Sequence, residues 1–383
     1  MARILVEKNI YFDEEKNLYY VYMDYGKDEN GKRIRKQPTF KSKSEAKKAL
    51  KEFEANKTKG MLVKPKSETV GEWLTYWLTI IASNSCEEST SYGYKNIINK
   101  HVIPSIGDIP LQKLKPQQIQ EYYNGKLNDE IKPLSENTVR KHHALLKTAF
   151  QVAVQQDVLI ANPMDKVIKP KYIQPDINVY DVEKMKRLFK LAEDTRLETT
   201  IWIAGMTGIR RSELCGLTWN SIDFKDKIIS IKNVRVNVGS KIIEKNRTKN
   251  ISSTRKISID DELINVLLKE RQKQKTNKEL LEKHYIESDY VVVMEDGKPY
   301  RPNYLSELFT KFINDNNLPP ITLHGLRHSL ASVANNAGIN LYEISKILGH
   351  SNTSTTSKMY ISMFDDTHKE TMSTIINEFK DNE

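Results

Sequence analysis

Cysteine is almost missing from this chain. Cys86 and Cys215 are the only two in 383 residues, and neither belongs to a CxxC pattern. That excludes a disulfide scaffold and a cysteine-rich zinc site, and it fits a reducing compartment. No apolar run approaches the roughly 18 residues of a spanning helix. Residues 1–16 hold no signal-peptide core, so a cytoplasmic protein with no membrane part is expected. No GxxxxGK[ST] loop is present, which argues against nucleotide hydrolysis. Acid is also in deficit, with Asp plus Glu at 50 against Lys plus Arg at 60 and a net charge of +10. A basic surplus on such a protein raises the case for a nucleic-acid partner. Hydrophobic residues at 38% still allow several cores, and 383 residues make two or three domains at roughly 150 each.

Residues 1–60 read as one small unit. Residues 18–25 (LYYVYMDY) are aromatic and β-branched enough for a strand, and Asn30-Gly31 is a strong hairpin signal. The return stretch 33–40 carries Arg33, Arg35 and Lys36. Ser42 and Glu45 have capping-box spacing, and Ala46, Ala49, Leu50 and Phe53 recur at helical spacing. The expectation is a small three-stranded sheet with one helix laid on it. Its basic strands suit DNA read by a β-sheet, and they equally suit a solvated edge guarded by lysines.

Residues 56–67 have little periodicity and read as a linker. Thr69 and Glu72 make a second capping box, opening a helix with Trp73, Leu74, Trp77 and Leu78 on one stripe. Further helices are predicted over 89–102, ended by Pro104, over 117–127, and from about Ser135 through residue 156. Together they make an all-α domain over 68–168. Its basic side chains (Lys95, Lys100, Arg140, Lys141, Lys147) can follow phosphates or can be ordinary exposed helix residues. Three prolines within 163–175 mark a second linker. A third domain over 176–383 is mainly helical, with β-rich pieces at 227–232, 233–238, 256–259 and 290–294 forming a small antiparallel sheet. The fold class is therefore multidomain α+β. No repeat of fixed period and no low-complexity tract is found.

Three stretches carry chemistry. In TGIRRSELCGLTW (207–219), Arg210 follows Thr207-Gly208 at a loop-to-helix junction and Glu213 sits one turn on. An arginine there presents a planar fork to a phosphate, and a carboxylate one turn later can fix it; a surface salt bridge gives the same pattern. In LHGLRHSLASVANNAGI (323–339), Thr322 caps a helix that Gly338 closes. His324 and Arg327 share one face of its first turn, where helix amides attract an anion. His324 and His328 also have the i, i+4 spacing of zinc ligands, but Gly325 stands where HExxH needs glutamate and no third ligand is evident. In ISKILGHSNTSTTSKMYISMF (344–364), a short helix ends at Gly349, His350 follows, and a Ser/Thr-rich turn leads to Tyr360.

In that order, Arg210, His324-x-x-Arg327, Leu348-Gly349-His350 and Tyr360 form the signature of the tyrosine recombinases. The chain resembles integrases of that family carried by prophages and conjugative transposons, over essentially its whole length. The resemblance implies an arm-site DNA-binding domain at 1–60, a helical SAM-like core-binding domain at 68–168 and a catalytic domain at 176–383. It also implies a catalytic lysine ahead of an S-x-R-x-I pattern, here Ser253, Arg255 and Ile257; spacing favours Lys249, with Lys245 close by.

The implied reaction is attack by Tyr360 on a scissile DNA phosphate, giving a 3′-phosphotyrosyl link and a free 5′-hydroxyl. A phenol of pKa about 10 is a poor nucleophile and must be positioned and deprotonated. Arg210, Arg327 and His350 would stabilise the transition state, His324 would accept a proton or touch phosphate, and Lys249 would protonate the leaving oxygen. Glu213 would orient Arg210. No metal and no cofactor are expected, because guanidinium and ammonium groups supply the charge, and no ATP, because the phosphotyrosine bond conserves phosphodiester energy.

The expected partners are double-stranded DNA at arm and core sites, further copies of the chain in a tetramer, and excision or DNA-bending accessory proteins. The segment 371–380 places Met372, Ile375, Ile376 and Phe379 on one helical face, which must dock on a neighbouring protomer or on its own domain. A type IB topoisomerase shares the chemistry, and a non-catalytic DNA-binding regulator would share the architecture. Neither explains the full residue set together with the N-terminal module.

Overall fold

The computed structural model describes residues 3–27, 31–58, 62–175, 177–246 and 255–349, in two units, Met1–Gln174 and Pro175–Glu383.

The N-terminal segment is built from β1 (Ile4–Glu7), β2 (Ile10–Asp13), β3 (Leu18–Val21), β4 (Met23–Lys27), β5 (Arg33–Lys36), β6 (Thr39–Phe40) and helix α1 (Lys43–Thr58). The expected three-stranded sheet is corrected to a four-stranded antiparallel sheet of order β1-β2-β3-β6, with β4 and β5 as a separate ladder. The extra strand arises because Asn9 adopts φ +65° and closes a two-residue turn between Glu7 and Ile10. Pro38 has no N–H for a ladder and splits the returning strand into two pieces. Ile10, Val21 and Met23 are buried beneath α1, which packs on them through Ala46, Leu50 and Phe53. Asp24 pairs with Arg33 at 2.7 Å and Arg35 at 3.8 Å on the exposed face.

The capping box at Thr69 and Glu72 forms as spaced and opens α2 (Val70–Tyr76). That helix continues through a π-helical turn, Trp77–Ala82, into α3 (Ser83–Ser85). Next comes α4 (Glu88–Ile97), which runs through a second π-turn, Ile98–Val102, into α5 (Ile103–Ile106). Pro104 therefore does not end the helix at 102. The π-turn changes the hydrogen-bonding pattern just before it, so the missing N–H is tolerated at the start of a fresh turn. Helices α6 (Pro116–Leu127) and α7 (Glu136–Gln155, capped by Ser135) complete the bundle. Trp73 is buried and donates its indole N–H to the Ala149 carbonyl at 3.1 Å, tying α2 to α7. The proline-rich segment is not loose. Asn162 donates to the Lys147 carbonyl, Arg140 to that of Pro170, and Asn137 exchanges hydrogen bonds with Ile173, strapping the segment along α7.

In the second unit, α8 (Val182–Ala192), α9 (Glu198–Thr207) and α10 (Arg211–Leu214) precede β7 (Ile222–Asp223), β8 (Ile228–Ile231), β9 (Asn233–Val238), β10 (Lys241–Asn246) and β11 (Arg255–Ser258). Then follow α11 (Asp261–Leu281), α12 (Pro302–Asp315), α13 (Leu323–Asn336) and α14 (Leu341–Leu348). Helix α9 is buried on nearly every side, Glu198 and its threonines included, because α8, α11 and α13 pack around it. The strands form two antiparallel sheets, β11-β8-β7 and β10-β9. The strand predicted at 290–294 is absent: Tyr290 and Val293 make single bridges, while Val291 and Val292 are buried in the helical core. Among the described residues no helix is long and apolar enough to cross a membrane.

Candidate active site: an arginine cluster around one buried carboxylate

Helix α9 ends because Gly208 takes φ +59°, which turns the chain sharply and delivers Arg210 as the cap of α10. A Cβ at residue 208 would lie 2.7 Å from Leu348 Cδ2 and 3.0 Å from Leu330 Cδ2. The turn is thus pressed directly between α13 and α14. Glu213, one turn into α10, is 1% exposed. Its carboxylate accepts the Arg210 backbone N–H at 2.8 Å and Arg210 Nη1 at 3.0 Å. It also accepts both terminal nitrogens of Arg255, at 3.1 and 2.9 Å. Burial alone would raise the Glu213 pKa, but the Arg255 hydrogen bonds and charge, then those of Arg210, pull it down to about 2.

Thr322 caps α13 by accepting the Gly325 N–H at 3.0 Å, and this aims the first turn of the helix into the cluster. Arg327 is 1% exposed. It donates to the Gly208 carbonyl at 2.7 Å and to the Leu348 carbonyl at 2.6 Å. Arg210 Nη2 donates to the neighbouring carbonyl, that of Gly349, at 3.1 Å. Two guanidinium groups 117 positions apart therefore converge on consecutive carbonyls at the end of α14. Gly349 makes this possible with φ +66°, and a Cβ there would lie 2.8 Å from Arg255 Cδ.

His324 is exposed at the start of α13. Partial desolvation first, then the charges of Arg327 and Arg210, hold its pKa below 6.5, so the ring is neutral at pH 7. Its edge meets His328 in a T-shaped pair with centroids 4.7 Å apart. The Arg210 side chain keeps 32% exposure against 12% for Arg255, so Arg210 and His324 form the accessible rim and Arg255 and Arg327 the floor. The cluster is positive and built from planar donors of the kind that suit an anion.

Of the residues singled out from the sequence, Arg210, His324 and Arg327 come together with Glu213. Lys249, His350, Tyr360 and the segment 371–380 lie outside the described residues. Lys245 sits on β10 opposite Val234. Sequence reasoning missed Arg255 as a member of the cluster, seeing it only as part of the Ser253-x-Arg255-x-Ile257 pattern. A buried glutamate facing a second arginine was the available signal, but the pairing spans 42 positions.

Three family profiles match the chain: Phage integrase family over residues 178–366, Phage integrase N-terminal SAM-like domain over 69–127, and Arm DNA-binding domain over 9–57. The chain is 31% identical over 376 residues to a tyrosine recombinase XerC-like protein of Caldanaerobacter subterraneus, covering 93% of this chain and 95% of the relative. It is 26% identical to the ICEBs1 integrase of Bacillus subtilis, covering 93% and 96%. Its fold is similar to that of the Tn1549 transposon integrase in complex with a circular intermediate DNA, with TM-score 0.64 and 22% identity, covering 76% of this chain and 94% of that one. A lambda integrase tetramer bound to a Holliday junction gives TM-score 0.57 at 18% identity, covering 91% and 97%.

Proposed function

The chain belongs to the phage integrase family, the tyrosine-type site-specific recombinases of mobile elements, and on that premise we propose that the arginine cluster receives the scissile phosphate of an attachment site. The observation that carries this reading is the convergence of Arg210 and Arg327 on the Leu348 and Gly349 carbonyls, immediately before His350 in the chain. Tyr360 attacks phosphorus, the bond to the 5′-oxygen breaks, and Lys249 delivers the proton that the leaving hydroxyl needs. Arg210 meets the non-bridging oxygens at the rim, His350 adds a hydrogen bond, and Arg327 contributes its charge from the floor. His324, neutral at pH 7, is suited to accept a proton.

The same reading divides the chain into an arm-binding module at 1–60, a core-binding module at 68–168 and a catalytic module at 176–383. Two modules joined by a short linker give bivalent binding to arm and core sites at high effective concentration. The working form is a tetramer on double-stranded DNA in the bacterial cytoplasm, with segment 371–380 packing on a neighbouring protomer and accessory proteins bending the DNA. The reaction uses neither metal nor ATP, so strand cleavage persists in excess chelator.

The deciding experiment is incubation with a nicked suicide duplex carrying the element's end. A covalent protein–DNA product forms with the wild-type chain and disappears in Tyr360→Phe. Persistence of the product in that variant overturns the assignment of the nucleophile.

A further inference from the structure

We propose that Arg255 is a positioning residue for strand cleavage: by sharing the Glu213 carboxylate with Arg210, it weakens that carboxylate's hold on the Arg210 guanidinium, which can then serve the phosphate. The inference rests on the reading of Arg210 as a phosphate ligand. Glu213 has a fully buried side chain and stands 3.0 Å from Arg210 Nη1. A carboxylate so placed is the strongest competitor a phosphate can have for that arginine, since opposite charges at such a distance in a dry site bind tightly. Arg255 blunts the competition. Its two terminal nitrogens each take one Glu213 oxygen, at 3.1 and 2.9 Å, in the forked geometry that only guanidinium offers.

The geometry shows that Arg255 is held there for this contact. Among the described residues its buried Nε finds no hydrogen-bond partner, so the side chain leaves one donor unmet while its two terminal nitrogens meet Glu213. Its far side lies against Gly349, where a Cβ would come within 2.9 Å of Arg255 Nη1. Gly349 is also the residue whose carbonyl accepts Arg210 Nη2. Arg255 therefore touches both partners that hold Arg210, the carboxylate on one side and the glycine turn on the other. With only 12% of its side chain exposed, it supports Arg210 from beneath and does not itself meet solvent-borne ligand as Arg210 can.

The test uses the full-length chain with Arg255→Gln, Arg255→Lys, Glu213→Gln and the Arg255→Gln/Glu213→Gln pair. Two quantities are read for each: the single-turnover rate of covalent adduct formation on the nicked suicide duplex, and the dissociation constant for the intact duplex. Arg255→Gln keeps one amide donor but shortens the side chain and removes the charge and the fork. It should slow adduct formation by about 10- to 100-fold, the range for weakening one transition-state donor, while duplex affinity changes less than about 2-fold. Arg255→Lys should be faster than Arg255→Gln. The diagnostic result is rescue: adding Glu213→Gln removes the competing charge and should recover about 10-fold of the lost rate.

A double variant no faster than Arg255→Gln overturns the proposal, as does Arg255→Gln at wild-type rate or equal rates for the Lys and Gln variants. Should the Gln variant lose its fold, judged by thermal melting, the comparison of Arg255→Lys with Arg255→Lys/Glu213→Gln decides in its place: the second must be faster. Failure of the wild-type chain to form any Tyr360-dependent adduct would sink the phosphate-site reading instead, so the two failures are told apart.

Discussion

Acidification should loosen the helical N-terminal bundle, and the effect is set by one histidine. His142 on α7 is 1% exposed, with Nδ1 paired to the Tyr122 hydroxyl at 2.8 Å. Burial first, then the nearby His101 ring at 5.1 Å centroid separation and the Lys126 charge, lowers its pKa from 6.5 to about 4. The folded state therefore resists a proton that the unfolded chain accepts. Its full stability is present above pH 6.5, and the loss grows as pH falls from 6.5 toward 4. With those two values, lowering the pH from 7.5 to 5 costs about 2 kcal/mol, a large part of a domain's usual margin. His101 and His143, also held below 6.5, push the same way. A multidomain chain does not melt as one unit, so the local readout is amide hydrogen exchange of residues 136–155. After correction for intrinsic chemistry, exchange there should be about 30-fold faster at pH 5 than at 7.5, the equivalent of about 2 kcal/mol. His142→Gln keeps a hydrogen-bonding group for Tyr122 but cannot titrate, so most of that dependence should vanish. An unchanged pH dependence in His142→Gln would refute the reasoning.

Other expectations follow from single contacts. Arg327→Lys retains charge but cannot reach the Gly208 and Leu348 carbonyls together, so covalent adduct formation should fall by about 100-fold, read on the suicide duplex. Gly208→Ala combines a left-handed φ with a Cβ 2.7 Å from Leu348, and should lower stability of the C-terminal unit by about 2–3 kcal/mol in thermal melting. Thr69→Ala removes one half of a formed capping box and should cost about 1 kcal/mol by the same measurement. Arg33→Ala/Arg35→Ala on β5 should weaken arm-site binding, and the slope of log affinity against log salt should shrink by up to about 2.

Capping chemistry explains why so much of the helical fold was readable in advance. Thr69, Ser135 and Thr322 each start a helix where the spacing placed it, because a hydroxyl satisfying free N–H groups acts over three residues and needs no distant partner. The misreadings occur where the deciding partner is remote. Residues 290–294 are apolar enough for a strand, yet helices cover them and only isolated bridges form. Strand β10 is not among the β-rich pieces named from the sequence, and it forms because Gly239 at φ +61° folds the chain back onto β9. Pro104 looked like a stop because a π-turn leaves no mark in composition. In the site, the order of Arg210, His324 and Arg327 along the chain was legible. The carbonyls they hold, and the sharing of Glu213 with Arg255, exist only once α9, α13, α14 and β11 have packed.

The charge balance of this cluster bears on catalysis as well as on binding. Arg210 and Arg255 share one carboxylate with Arg327 close by, and the carbonyl oxygens of Gly208, Leu348 and Gly349 offset part of the mutual repulsion by accepting N–H groups of Arg327 and Arg210. Among the described residues, Arg210, Arg255 and Arg327 against Glu213 leave two positive charges in excess. A phosphodiester carries one negative charge, whereas the five-coordinate species formed on tyrosine attack carries about two, so under the proposed reaction such a cluster would match the transition state better than the ground state. Neutral carbonyls are also the right companions for such arginines. They hold the forks in place, yet a charged phosphate oxygen would make the stronger hydrogen bond and could displace them at the rim. A second buried carboxylate would have held the forks as well, but it would have cancelled the surplus charge that the proposed reaction would draw on.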